Sequence, residues 1–594
     1  MKQIKSYIII LAGIILCNAC GKSYLDKRPI GKLDEAALTN KKGVEGLLIG
    51  AYSLLDGING DIDGNWYSAA SNWIYGSICG SEAYSGSEPG DQNGMVVIIE
   101  KFKSTAYIDP LLIKWRIVYE GIQRANEVLR IMPKAKDILA EDQKRIAAEA
   151  RFLRAHYHFE AKKIWKNVPY IDETITYGNG NYHISNEKDI WPDIERDLKY
   201  AMDSLSDIPY SNAVGRATKY TAMALLAKAF MFQKKFTQAK PLLETIIASG
   251  KYKLVKYADN FNPETRNSSE SVFSVQMSVN DRSEGYNGNY GDVLNFPFVP
   301  SQADCCGFFQ PSQYLVNHFK TDPVTGLPDL TNFNNVDVTN DEGYESSDPT
   351  FIPYGGTLDP RLDWTVGRRG IPYLDWGNNP GKDWIRRQDY FGPYSPIKNA
   401  YYKSQLYTLT DQAYWTNGTT TNNVNLIRYA DILLWAAEVE AEIGSLDKAQ
   451  QYVNMIRNRM KDHHEYWVHK YLNDNNPQGG SYTDDAHLAA NYFIGPYPAG
   501  DFTAKGKDFA LKAIRYERML ELGMEGHRFF DLVRWGIADA EINSYFLKEK
   551  TLRSYLNDAH FTKSKNEYFP IPQTQIDLSA GADGIPKMKQ NPGY

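Results

Sequence analysis

Only five of the 594 residues are cysteine, at positions 17, 20, 79, 305 and 306. So sparse a set excludes a disulfide framework. The last three offer no CxxC spacing, and the adjacent pair Cys305-Cys306 is compatible with a vicinal disulfide or with two thiols. Positive charge is not in excess either. The formal net charge is −6 and the pI is near 6.0, which argues against a nucleic-acid partner, since a phosphate backbone needs a broad basic field. Past the first twenty residues no apolar run approaches the roughly eighteen that a membrane-spanning helix requires. There is no P-loop and no glycine-rich fingerprint opening a helix after a strand. The segment HHEYWVH (463–469) resembles a zinc motif, but His464 and His469 are five apart, whereas a shared helix face needs four. His156 and His158, two apart in a helical pattern, point away from each other. No metal or other cofactor is expected.

The N-terminus does carry a signal. Lys2 and Lys5 precede about ten apolar residues, the length of a secretory h-region. The run closes on Ala19-Cys20-Gly21 rather than on an Ala-x-Ala-like site. That pattern looks like a bacterial lipobox, in which the Cys20 thiol takes a diacylglyceryl group and becomes the mature N-terminus. A plain secretory signal with an incidental cysteine is the alternative. Cleavage after residue 19 removes two lysines and no acids, which takes the net charge from −6 to −8. Several acyl chains on one cysteine anchor stably, where a single chain binds only marginally.

Tyrosine is abundant, 41 residues against 24 phenylalanines, which suits half-wet aromatic surfaces. Helical periodicity marks 146–165, with Phe152, Ala155, His156 and Phe159 on one stripe. A second segment, 217–232, places Ala222, Leu225, Leu226, Ala229 and Phe230 together, and a partner helix runs to Gly250. The pairing recurs at NLIRYADILLWAAEVEAEIG, with Leu426, Tyr429, Ala430, Leu433, Leu434 and Ala437 on one face and Asp431, Glu438 and Glu442 opposite. Gly444 closes it, and SLDKAQQYVNMIRNRM follows. Small residues and a glycine turn resemble tetratricopeptide packing. Residues 57–94 and 281–424 instead are rich in Gly, Asn, Asp, Pro and aromatics. Loops this long on a rigid scaffold commonly carry function.

In 513–536, Glu517, Glu521 and Glu525 lie four apart among Arg515, Arg518, Arg528, Asp531 and Arg534. Carboxylates on one face can serve acid–base or metal chemistry. Dense arginine holds carboxylate pKa values down, however, which is the wrong direction for a general acid. The pattern therefore favours ion-pair networks between packed helices.

Taken in order, YLDKRP, GVEGLLIGAYSLL (43–55), EARFLRAHYHFEAKKIWKNVPYI, LIRYADILLWAAEVEAEIG, IRYERMLELGMEGHRFFDLVRWG and YFPIPQTQI…QNPGY resemble the SusD/RagB family of outer-membrane nutrient-binding lipoproteins. The resemblance implies a mainly α fold, with tetratricopeptide-like helix pairs and a long irregular, loop-rich ligand-binding half. A signal peptide over 1–19 is followed by a SusD-like domain over 20–594. Its helical scaffold covers about 20–56, 108–250 and 425–594, and its loop-rich regions cover about 57–107 and 251–424. The resemblance further implies a lipid-anchored protein of the outer membrane, exposed at the cell surface. There it captures oligosaccharide, without catalysis, for a SusC-like TonB-dependent transporter. Capture of peptide or another nutrient, as in the RagB branch, and a surface glycoside hydrolase are the alternatives.

Sugars present apolar C–H faces rimmed by hydroxyls, so a site needs aromatic platforms beside amides and carboxylates. Two stretches offer both. Residues 64–94 hold Trp66, Trp73, Tyr84, Asp91 and Asn93, and 284–309 hold Tyr286, Asn289, Tyr290 and Phe309. Family members share no fixed ligand motif, so the regions transfer from the resemblance and the individual residues rest on their side-chain chemistry. Trp376 and Trp384 are held in reserve, because the turn LDWG can simply anchor its loop.

Overall fold

Asparagine and threonine side chains open two of the helices, as their capping chemistry requires. Asn40 accepts from the Gly43 N–H at the start of α1 (Lys41–Ser53), and Thr218 from the Thr221 N–H at the start of α5 (Lys219–Phe232). Between them lie α2 (Asp109–Ile131), α3 (Ala140–Trp165) and α4 (Trp191–Ser204), and α6 (Phe236–Ala248) follows. From α1 to α6 each helix packs on the next. Then α6 packs on α7 (Tyr429–Ile443), which is followed by α8 (Leu446–Lys461), α9 (Lys507–Leu522), α10 (Arg528–Trp535) and α11 (Ala538–Leu552). The computed structural model describes residues 35–60, 65–91, 94–282, 287–298, 306–411, 416–474 and 485–594. None of the described helices is long and apolar enough to cross a membrane.

Two helices are more deeply seated than their sequences suggest. The stripe expected on 146–165 is buried, but so is nearly every other residue of that stretch of α3. Besides α1, α2 and α4, the C-terminal segment covers it: the Phe569 N–H donates to the Ile164 carbonyl, and the Asn591 amide to the Trp165 carbonyl. Its principal charged side chains are paired inside. Arg154 grips Asp197 at 2.7 and 2.9 Å, and Glu149 accepts from Arg145 and Arg216. Burial pushes His156 down to about 4 and His158 down to about 3, so both are neutral packing groups. On α7 two residues of the expected polar face are buried as well, Asp431 paired with Arg518 and Glu438 with Arg534, while Glu442 stays half-buried. The first residues of that expected helix are also not helical. Residues 424–428 pair antiparallel with 271–275, so an available strand edge overrides helical periodicity there.

Among the described residues six short strands tie the irregular regions down: β1 (Ala83–Gly86), β2 (Ser271–Val275), β3 (Phe308–Pro311), β4 (Val366–Gly367), β5 (Ser395–Pro396) and β6 (Val424–Arg428). They form three antiparallel pairs, β1 with β3, β2 with β6 and β4 with β5. A satellite core of Phe296, Tyr373, Trp384, Ile397 and Tyr401 lies under the second loop region. Trp384 is buried in it, and the half-buried Trp376 donates its indole N–H to the Tyr401 carbonyl at 2.8 Å. Both reserve tryptophans therefore anchor their loop.

The acid and arginine run forms the hub between scaffold and loops. Glu517 bonds Arg361 and Arg457, and Glu521 bonds Arg361, Arg428 and Arg459 at 2.6–2.9 Å. Glu525 lies beyond the end of α9 rather than on its face, and it bonds Arg428 and Lys398. Arg515 has its guanidinium 5.3 Å from the Trp535 ring. Burial alone would raise the Glu521 carboxyl, yet Arg459, Arg428 and Arg361 hold it well below the ordinary value.

Candidate functional site

The two loop regions singled out by composition lie side by side. Tyr84 of β1 stands opposite Gln310 of β3. The Trp73 indole donates to the Gly291 carbonyl at 3.3 Å, and the Ser71 hydroxyl to Asp292 at 2.6 Å. Glycine is required where they touch: a Cβ at Gly291 would lie 2.7 Å from that of Ala69. The turn after Glu525 closes in from the scaffold, where Gly526, at φ +76, leaves no room for a side chain against the Ser71 carbonyl.

Burial sorts the expected ligand residues. Trp73, at 1% exposure, packs its ring 5.6 Å from that of Phe309, and Tyr84 is fully buried with its hydroxyl 2.6 Å from Glu549. These two rings hold the loops together and present no face to a ligand, which corrects their assignment as platforms. Phe309 is likewise buried, although it contributes to the wall of a cleft. Asp91 is engaged by the Ser87 hydroxyl and the Arg386 guanidinium, each at 2.6 Å. Asn93 and Tyr286 lie outside the described residues. Trp66 and Tyr290, one from each loop, are half-buried with ring centroids 6.4 Å apart, and Tyr67 lies 5.8 Å from Trp66.

Next to Tyr290 in the chain, Asn289 opens the second feature, a cleft of ≈ 60 Å³ in which several asparagines stand among apolar walls from Phe261, Phe309, Ile397 and Met524. That volume holds a few ordered waters. Asn289 donates to Asp292 at 2.9 Å and to the Asn422 carbonyl at 3.3 Å. Burial raises the Asp292 carboxyl above its ordinary range, against the lowering effect of hydrogen bonds from Ser71, Asn289 and Asn295. The Asn295 side-chain oxygen is buried with no partner among the described residues, an acceptor matched to a hydroxyl donor. Asn399, Asn423 and Asn425 complete the rim, and Lys398, paired with Glu525 at 2.7 Å, supplies the one ammonium.

Sequence reasoning missed this cleft. The run NNVN (422–425) was its visible trace, but the cleft forms only when that run meets residues more than a hundred positions earlier. It also passed over Tyr407, which is 52% exposed and held at φ +65, with its N–H on the Thr410 hydroxyl.

Burial raises several other carboxyls as well, Asp56 to about 8, Glu82 to about 7 and Asp341 to about 6. Glu100 and Glu549, both pushed up to about 7 by burial, bond Tyr555 and Tyr84 inside the core. Among the described residues no group of three or more His, Cys, Asp or Glu side chains could hold a metal ion.

The chain matches the family model described as "SusD family" over residues 269–594, and a second, "Starch-binding associating with outer membrane", over 24–231. It is similar to SusD-like protein P25 of Formosa agariphila, with 24% identity over 552 residues and 90% of each chain covered. Among solved structures it resembles a laminarin-binding SusD-like protein, with a TM-score of 0.63, 22% identity, and coverage of 94% of this chain and 100% of that one. It also resembles surface glycan-binding protein A of Bacteroides thetaiotaomicron in complex with laminarihexaose, with a TM-score of 0.63, 19% identity, and coverage of 93% and 100%.

Proposed function

The chain belongs to the SusD family, and from that membership we propose that it is a lipid-anchored, surface-exposed outer-membrane protein that binds oligosaccharide without cleaving it and passes it to a SusC-like TonB-dependent transporter. The observation that carries the binding role is the meeting of the half-buried Trp66 and Tyr290 rings, one from each loop region, with Tyr290 next in the chain to Asn289 of the cleft. Stacked rings take the C–H face of a sugar, and fixed amide groups select its hydroxyls. The loop-rich regions, about 57–107 and 251–424, supply the ligand site, and the helical remainder supports it.

A binding role also fits the carboxylates. A glycosidase sets two carboxyl groups about 5–9.5 Å apart across the bond it cuts, with one of them raised. Here the raised carboxyls are each committed to hydrogen bonds from their own surroundings: Glu100 and Glu549 from tyrosines, Asp56 and Glu82 from backbone N–H groups, Asp341 from Gln388 and Asp292 from Ser71, while Glu517 and Glu521 of α9 are held by arginines.

Incubation with a panel of neutral glycans and peptides tests the proposal. Retention of one glycan class with no new reducing ends is the expected result. Reducing ends appearing with time would make the protein a hydrolase, and retention of peptides alone would place it with the peptide-binding branch.

A further inference from the structure

A second hollow lies away from the loops, where the last turn of α3 meets the first turn of α4, the end of α5 and α10. Its volume is ≈ 310 Å³, at the small end of the range for small-molecule pockets and too narrow for a helix about 10 Å across. Trp191, Phe530 and Tyr568 supply aromatic walls. Three lysines face these rings: Lys162 Nζ lies 5.9 Å from the Trp191 centroid, Lys163 Nζ 4.5 Å from Phe530, and Lys166 Nζ 5.3 Å from Tyr568.

The charges here are unequally matched. Lys163 is paired with Glu160, and Arg534 at the base is fully engaged by Glu438 and Asp531. Lys162 is 9% exposed and pairs with Asp189, whose side chain is 60% exposed and also accepts from the Trp191 N–H at 3.4 Å. Glu187, also at the rim, is paired with Lys589. Among the described residues Lys166 pairs with no carboxylate. It sits at φ +58, a conformation that non-glycine residues rarely adopt, with its ammonium held over a ring. An ammonium held that way keeps its N–H donors available.

We infer that this hollow binds an anionic sugar residue, a hexuronate or a sulfated hexose. The acid group accepts from Lys166 and from Lys162, displacing Asp189, while the aromatic walls cover the ring. The choice of a sugar rests on the proposed glycan-binding function; the requirement for an anion rests on the lysines alone.

Saturation-transfer NMR on the full-length chain in mild detergent tests it, with glucuronate, galacturonate and glucose 6-sulfate against glucose. At least one anionic sugar should bind in the millimolar range, at least tenfold tighter than glucose, and 0.5 M NaCl should weaken it. Lys166→Glu, at an exposed position, should reduce that affinity at least tenfold with an unchanged melting temperature. Trp66→Ala should leave it intact, which separates this hollow from the loop site. Equal signals from glucose and the anionic sugars, or wild-type affinity in Lys166→Glu, would overturn the inference.

Discussion

Replacing Glu521 with glutamine should destabilise the protein by about 3–5 kcal/mol, the cost of breaking a buried ion pair from one side. The carboxylate is fully buried and bonds three guanidiniums, from Arg361, Arg428 and Arg459. Arg361 retains Asp359 and Glu517, and Arg428 retains Glu270 and Glu525. Arg459 is left with Glu270 alone, at 3.7 Å. Its excess charge then has no close partner in a region that water does not reach. Because the arginines hold the carboxyl in the folded state well below the ordinary glutamate value of about 4.5, this contribution is present above about pH 4.5 and is lost only as pH falls through the folded-state value. Thermal unfolding at neutral pH checks the effect, and the folded fraction should bind glycan as the wild type does. Wild-type stability with binding abolished would mean that Glu521 serves the ligand.

The second large effect concerns Cys20. If this thiol carries the lipid, Cys20→Ala should abolish metabolic lipid labelling and release the chain from membranes. Cys17→Ala should leave labelling intact, since Cys17 falls within the removed peptide. Both cysteines lie outside the described residues, so the expectation rests on the lipobox-like Ala19-Cys20-Gly21 and on the acyl-chain arithmetic of anchoring. Extraction of the wild type in mild detergent should bring a TonB-dependent barrel with it. Continued labelling of Cys20→Ala would refute the anchor.

How much of this was legible in the sequence depends on range. The helices at 146–165, 217–232 and 445–460 follow from local periodicity, and Gly444 does mark the turn between α7 and α8. The all-round burial of α3 was not legible, because its charged residues find partners far along the chain, Arg154 on Asp197 and Glu149 on Arg216, and the C-terminal segment covers its last turn. The arginine and acid run of α9 was readable as an ion-pair network from its own composition. Its main partners, Arg361, Arg428 and Arg459, come from elsewhere in the chain and could not be named.

At the candidate site the two regions were legible, but their rings were not sorted. Trp66 and Trp73 share one loop and the same chemistry, yet one is half-buried beside Tyr290 and the other is a core residue. An aromatic that packs a loop and one that receives a ligand look alike until burial is known.

The most direct test of the central claim is calorimetric titration of the glycan retained in the panel into wild type, Trp66→Ala and Tyr290→Ala, with a melting temperature for each. A stacked ring contributes on the order of 1 kcal/mol, so each substitution should weaken binding several-fold to about tenfold while melting stays near wild type. Wild-type affinity in both folded variants would contradict the account and place the glycan elsewhere on the protein.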